Sequence, residues 1–118
     1  MAHILLAEDD ESMRHFLVAA LTRAGHEVNA FADGREAAEA LGPPIDLLVA
    51  DIVLPGFGGI ELARRASDAQ PGLPVLFITG FSATALTDGR PPLPGSAVLN
   101  KPFKLTQLVR EVRKLLAA

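Results

Sequence analysis

The stretch from Asp46 to Gly59, DLLVADIVLPGFGG, limits the folds open to this chain more than any other. Leu47, Leu48, Val49 and Ala50 form an unbroken apolar run, the pattern of a central strand buried on both faces. Asp51 stands where the run stops, so its side chain emerges at the carboxyl end of that strand. Pro55, Gly56, Gly58 and Gly59 then enforce a loop. A strand buried on both sides calls for an open sheet covered by helices, and ligands bind such sheets at the carboxyl edge.

The rest of the chain repeats the alternation. Residues 3 to 7, HILLA, read as a buried strand followed by the acidic run Glu8, Asp9, Asp10 and Glu11. Met13, Phe16, Leu17, Ala20 and Leu21 then fall at helical spacing, with Asp10, Glu11 and Ser12 starting that helix and Gly25 ending it as a left-handed cap. Glu27 to Phe31 alternates polar and apolar residues, as an edge strand does. Asp33 and Glu36 have capping-box spacing for a short second helix ending near Leu41, where Gly42, Pro43 and Pro44 break it. Ile60 to Ala69 gives a third helix, and Val75 to Ile78 a second continuous apolar strand. Ala97 to Leu99 is a last short strand, and an apolar stripe from Leu105 to Leu116 draws a terminal amphipathic helix.

The alternation predicts an α/β domain over residues 1–118: a doubly wound, five-stranded parallel sheet with right-handed crossovers. One interval departs from the pattern. Between Phe81 and Ser96, Pro91, Pro92 and Pro94 exclude a regular helix, so the crossover helix there is expected to be short or disordered.

Polar groups mark four strand ends: Glu8 with Asp9, Asp51, Thr79 and Lys101. A parallel sheet presents all its carboxyl ends on one side, so these groups converge on one crevice. Three carboxylates brought together repel one another and raise their pKa values unless a cation sits among them. With Lys101 contributing a positive charge, a divalent ion brings the site to neutrality, and all-oxygen ligands favour Mg²⁺. Asp51 is then expected to accept a phosphoryl group by in-line attack, with Lys101 pairing with one phosphoryl oxygen and the Thr79 hydroxyl with another. Any one of these residues alone reads more simply as a turn, a helix cap or a plain loop; their joint placement at the ends of the right strands sets the set apart.

Composition excludes several alternatives. No apolar run approaches the ~20 residues of a bilayer span, and MAHILLAEDD lacks the layout of an export signal. The absence of cysteine removes disulfide and thiol chemistry and fits a cytoplasmic location. A formal net charge of −3 argues against direct DNA binding, so Arg110, Arg113 and Lys114 read as a solvated helix face. His3, His15 and His26 are dispersed without ligand spacing.

The set ILLAEDD, DIVLPGFGG, FITG and LNKPF resembles the receiver domain of bacterial response regulators, the CheY-like family, along the whole chain. The resemblance implies the flavodoxin-like strand order 2-1-3-4-5. It implies phosphorylation of Asp51 from a phosphohistidine on a histidine kinase or histidine phosphotransfer protein. It also implies Mg²⁺ held by Asp9, Asp51, the backbone carbonyl of Val53 and, through water, Glu8, with Thr79 as switch hydroxyl and Lys101 as phosphate-binding lysine. The Lys101–Pro102 bond matches one that is often cis in the family. Such domains promote only their own phosphorylation and dephosphorylation and act through partner binding, as monomers or weak dimers.

Within the family, ILLAEDDESMR, ITGFSATAL and the final LLAA look like single-domain regulators of the CpdR type from α-proteobacteria. Those are implied to control delivery of substrates to the ClpXP protease, with Ala117 and Ala118 a candidate degradation signal alongside the plainer reading of a frayed helix end. The initiating Met and terminal helix favour a stand-alone regulator over a receiver module of a longer regulator or hybrid kinase. Two positions depart from the family: Val98 replaces the usual aromatic residue three before the lysine, and prolines interrupt residues 81 to 95. Thr79 and that segment are expected to transmit the signal instead, with Phe81 a candidate aromatic reporter. An aspartyl-phosphate phosphohydrolase needs a second acid two residues after the nucleophile, and Val53 stands there. An FMN site needs a hydroxyl- and amide-rich loop, whereas Glu8 to Glu11 repel phosphate.

Overall fold

The computed structural model describes residues 1–80 and 92–117. The elements are β1 (His3–Ala7), α1 (Glu11–Arg23), β2 (Glu27–Phe31), α2 (Gly34–Glu39), β3 (Leu47–Asp51), α3 (Gly59–Ala69), β4 (Val75–Thr79), β5 (Ala97–Asn100) and α4 (Leu105–Ala117). The strands form one sheet in the order β2-β1-β3-β4-β5, and every neighbouring pair is parallel. This is the doubly wound topology expected from the alternation of strands and helices. The shortened crossover helix expected between β4 and β5, with Phe81 and Pro91, falls on residues outside the described ones, as does Ala118.

Side-chain alternation along the inner strands divides the core into two layers. Leu5 and Ala7 of β1, Leu48 and Ala50 of β3, and Val75 and Phe77 of β4 pack with Ala37 of α2 and with Leu62, Ala63 and Ala66 of α3. The intervening residues Ile4, Leu6, Leu47, Val49, Leu76 and Ile78 face Leu17 and Leu21 of α1 and Leu108 and Val112 of α4. Both faces of β3 and β4 are therefore covered, which is why their sequences run apolar without a break. At the edge, no residue of β2 is fully buried: Val28 and Phe31 are half-buried while Glu27, Asn29 and Ala30 are exposed, so the expected alternation breaks at Ala30, where the open edge leaves a small apolar side chain uncovered.

Local chemistry sets the element ends. The Asp10 carboxylate accepts from Met13 N at 2.7 Å and caps α1, and Asp33 caps α2 through Glu36 N at 2.8 Å. Gly25 follows the end of α1 with a φ of 98°, a left-handed conformation that a glycine adopts without steric cost. Helix α2 stops at Glu39, short of Leu41. Ala40 N and Leu41 N bond back three residues, to Ala37 O and Ala38 O, so the last turn tightens before the Gly-Pro-Pro break. Between β3 and α3, Gly59 N donates to Ile52 O at 2.8 Å, drawing the helix start against the end of β3.

Candidate functional site

Strand register delivers the polar residues to one place. Ala7 pairs with Ala50, so Glu8 leaves β1 alongside Asp51. Asp51 pairs with Ile78, which sets Thr79 one step further on, and Thr79 pairs with Asn100, which sets Lys101 one step beyond that. One carboxylate oxygen from each of Glu8, Asp9 and Asp51 lies within 4.8 Å of the others. Lys101 Nζ closes the cluster, 2.7 Å from Asp51 Oδ2 and 3.0 Å from Glu8 Oε1.

The four groups differ in exposure. Glu8 is 1% exposed and Asp51 7%, whereas Asp9 opens to solvent. Burial pushes the Glu8 carboxyl above its usual range, with the Asp51 charge adding to the rise, while the Asp10 backbone bond and Lys101 oppose it. Burial alone would lower the Lys101 pKa; the hydrogen bond to Asp51 and the nearby charges of Asp51 and Glu8 outweigh that and hold it above its usual value. Lys101 thus remains a cation.

Each carboxylate is held differently. Asp51 Oδ1 accepts from Val53 N at 3.0 Å, leaving Oδ2 to the lysine. Glu8 Oε2 accepts from Asp10 N at 3.0 Å. Glu8 Oε1 is buried and lies within ion-pair distance of Lys101, but the angle of approach gives it no directed hydrogen bond. A buried carboxylate oxygen with free lone pairs, facing two other acids, is the donor chemistry that a hard divalent cation satisfies. The residues present therefore fit Mg²⁺.

The other residues singled out in the sequence lie as follows. Val53 sits in the loop after β3 with its side chain 60% exposed. Thr79 is fully buried, and its hydroxyl donates to Gly80 O at 3.0 Å. Val98 is half-buried and packs in the layer that holds Phe77 and Ile60. The Lys101–Pro102 peptide bond is cis. Ala117 ends α4, exposed, and distant in sequence from every acid of the cluster. Arg110, Arg113 and Lys114 are exposed on α4, and Lys114 approaches Glu111 at 3.8 Å. None of the three histidines joins the acidic cluster.

One residue at this edge received no role from the sequence. Arg14 Nη1 donates to Glu8 O at 3.0 Å and reaches Asp9 O at 3.4 Å. A cation one turn into an amphipathic helix carries no pattern that marks such a role. Only the spacing of four to six residues behind an acidic loop hinted otherwise.

Residues 4–113 match the family model of the response regulator receiver domain. The chain belongs to that family. Among receiver proteins it is 50% identical to the response regulator receiver protein CpdR of Brucella abortus, over 100% of this chain and 99% of that one. It is 40% identical to the transcriptional regulatory protein TcrA of Mycobacterium tuberculosis and 34% identical to the sensor kinase CckA of Brucella abortus. It spans only 45% and 12% of those two proteins. A receiver protein structure from Sinorhizobium medicae superimposes with a TM-score of 0.89 at 35% identity, covering 98% of this chain and 94% of that one. The receiver domain of the hybrid histidine kinase CckA gives 0.80 at 32% identity, covering 97% and 98%. Receivers thus occur both as single-domain proteins and as modules of longer ones, and this chain resembles examples of each. No helix among the described residues is long and apolar enough to cross a membrane.

Proposed function

We propose that this receiver is a phosphorylation switch in which Asp51 accepts a phosphoryl group from a phosphohistidine of a histidine kinase or a histidine phosphotransfer protein. The observation that carries the reading is the grip on Asp51: one oxygen bonded to Val53 N, the other to the Lys101 ammonium. The carboxylate is thereby fixed for attack along one line. An Asp51 oxygen forms the new bond to phosphorus as the phosphorus–nitrogen bond to histidine breaks, and the imidazole leaves with that electron pair. Lys101 then exchanges its bond with Asp51 for one with a phosphoryl oxygen.

Asp9, Asp51 and the Val53 carbonyl, with Glu8 acting through water, would hold Mg²⁺, which supplies countercharge to the incoming phosphoryl oxygens when bound. The buried Thr79 hydroxyl gives up Gly80 O for a phosphoryl oxygen. That exchange passes the event into the segment after β4. With Val98 where an aromatic residue would rotate, the backbone after Gly80 carries the signal. Chemistry is confined to the chain's own phosphorylation and dephosphorylation, and output is a change in partner binding, in the cytoplasm.

The likeness to CpdR over nearly its whole length supports a stand-alone regulator spanning residues 1–118. It also supports a role in delivering substrates to a ClpXP-type protease, with Ala117 and Ala118 as a degradation signal. Incubation with Mg²⁺ and a small phosphoryl donor, followed by intact mass measurement, tests the chemistry. The unmodified chain gains one phosphoryl group and Asp51→Ala gains none; equal labelling of both overturns the assignment. Pull-downs with both forms, and turnover of an Ala117→Asp, Ala118→Asp variant, test the output.

A further inference from the structure

We infer that Arg14 is a positioning residue that aims the Asp9 carboxylate at the cation site, an inference that rests on the receiver-site reading above. Glu8 and Asp51 are buried and gripped by hydrogen bonds, so their directions are fixed by packing. Asp9 is exposed, and its direction depends on the two peptide planes that flank its Cα.

Both planes are pinned. Arg14 Nη1 donates to Glu8 O at 3.0 Å, holding the plane before Asp9. The same nitrogen reaches Asp9 O at 3.4 Å, and Asp10 N donates to Glu8 Oε2 at 3.0 Å; together these hold the plane after it. With both planes fixed, the Cα–Cβ bond of Asp9 has one direction.

The location of Arg14 carries the argument further. Its own N bonds to Asp10 O at 2.8 Å, so it lies at the start of α1, where the helix dipole disfavours a cation. A guanidinium held there against the dipole is accounted for by what it grips. It also sets a positive charge against the four consecutive acids Glu8 to Glu11, which would otherwise splay the loop. Groups that orient a metal ligand from behind typically change metal affinity 10–100-fold when removed.

The test compares the unmodified chain with Arg14→Met, which keeps the stem and removes the donor, and Arg14→Lys, which keeps a charged donor. Mg²⁺ is titrated with amide resonances of residues 8–10 and 51–53 as the readout. Phosphorylation rate by a small donor is measured across the same Mg²⁺ range. Arg14→Met is expected to need about tenfold more Mg²⁺ and to regain the full rate at saturation, with Arg14→Lys close to the unmodified chain. Half-saturation unchanged in Arg14→Met overturns the inference. A rate loss that excess Mg²⁺ does not restore also overturns it. If Arg14→Met does not fold, Arg14→Gln makes the same comparison. An unmodified chain that takes up no Mg²⁺ overturns the underlying receiver-site reading, whereas normal uptake in both it and the Met variant overturns this inference alone.

Discussion

Lys101 Nζ lies 2.7 Å from Asp51 Oδ2 and bridges a separation of 50 residues in sequence. The same nitrogen lies 3.0 Å from Glu8 Oε1, so one cation ties together acids from the ends of two strands. Without it, two carboxylates would share a nearly dry pocket.

Lys101→Met is therefore expected to destabilise the fold. Breaking a fully buried pair costs roughly 3–5 kcal/mol, and partial solvent access to the lysine lowers the expectation here to about 2 kcal/mol. Urea unfolding at pH 7 without divalent ions measures this, and added Mg²⁺ should restore part of the loss. An unchanged midpoint would show that the bridge contributes nothing.

Glu8 predicts how stability varies with pH. Its folded-state pKa is raised above 4.5, chiefly by burial. Its contribution is thus complete below the unfolded value and is lost as pH rises through the folded one. In the absence of Mg²⁺, Glu8→Gln should be more stable than the unmodified chain at pH 7, and the gap should close as pH falls toward 4.5. Lys101 does not obscure this, because its raised pKa fades only above 10.5. A gap that stays constant across this range would contradict the burial of an ionised Glu8.

Gly59→Ala tests how closely α3 is pressed against the end of β3 that carries Asp51. A Cβ there would stand 2.0 Å from Asp51 O and 2.9 Å from Ile52 Cα, both backbone atoms that cannot swing aside. The expected cost is about 3 kcal/mol, the upper end for overpacking. Because the strain falls on the Asp51 peptide, phosphorylation of the folded fraction should slow as well. Measuring both on one sample separates this from simple loss of folded protein.

His26 predicts a second, independent pH effect at the far end of the sheet. Its Nδ1 accepts from Ala2 N at 3.1 Å, which requires the neutral ring. Burial and the nearby chain terminus lower its pKa from 6.5. The unfolded chain therefore binds the proton first as pH falls below 6.5, and stability declines through that window. His26→Asn keeps an acceptor and cannot titrate, so its stability should not show this decline. A parallel decline in both would assign it to other groups.

Much of this architecture could be read from the residues because the same patterns that dictate it are local. Period-two and unbroken apolar runs located all five strands, and Asp10, Asp33 and Gly25 announced their caps through side-chain and backbone chemistry. The convergence of Glu8, Asp9, Asp51 and Lys101 followed from parallel topology alone. The Arg14 contacts with the carbonyls of Glu8 and Asp9 did not, because a guanidinium on a flexible stem has many reachable acceptors. The same is true of Phe57, whose ring lies 3.9 Å from the Arg65 guanidinium and 5.9 Å from that of Arg35. His26 was invisible for another reason: its partner is a backbone N–H, which no side-chain pattern marks.

The diagonal pairing of Ala7 with Ala50, Asp51 with Ile78 and Thr79 with Asn100 makes the sheet a vernier, in which each functional group owes its place to the count of residues beneath it. Deleting a single residue inside β4 would exchange the inward and outward rows of that strand and draw Thr79 back from the edge in one stroke. Changes of chain length must therefore collect in the connections between elements, leaving the strands as the fixed scale against which new binding specificities accumulate.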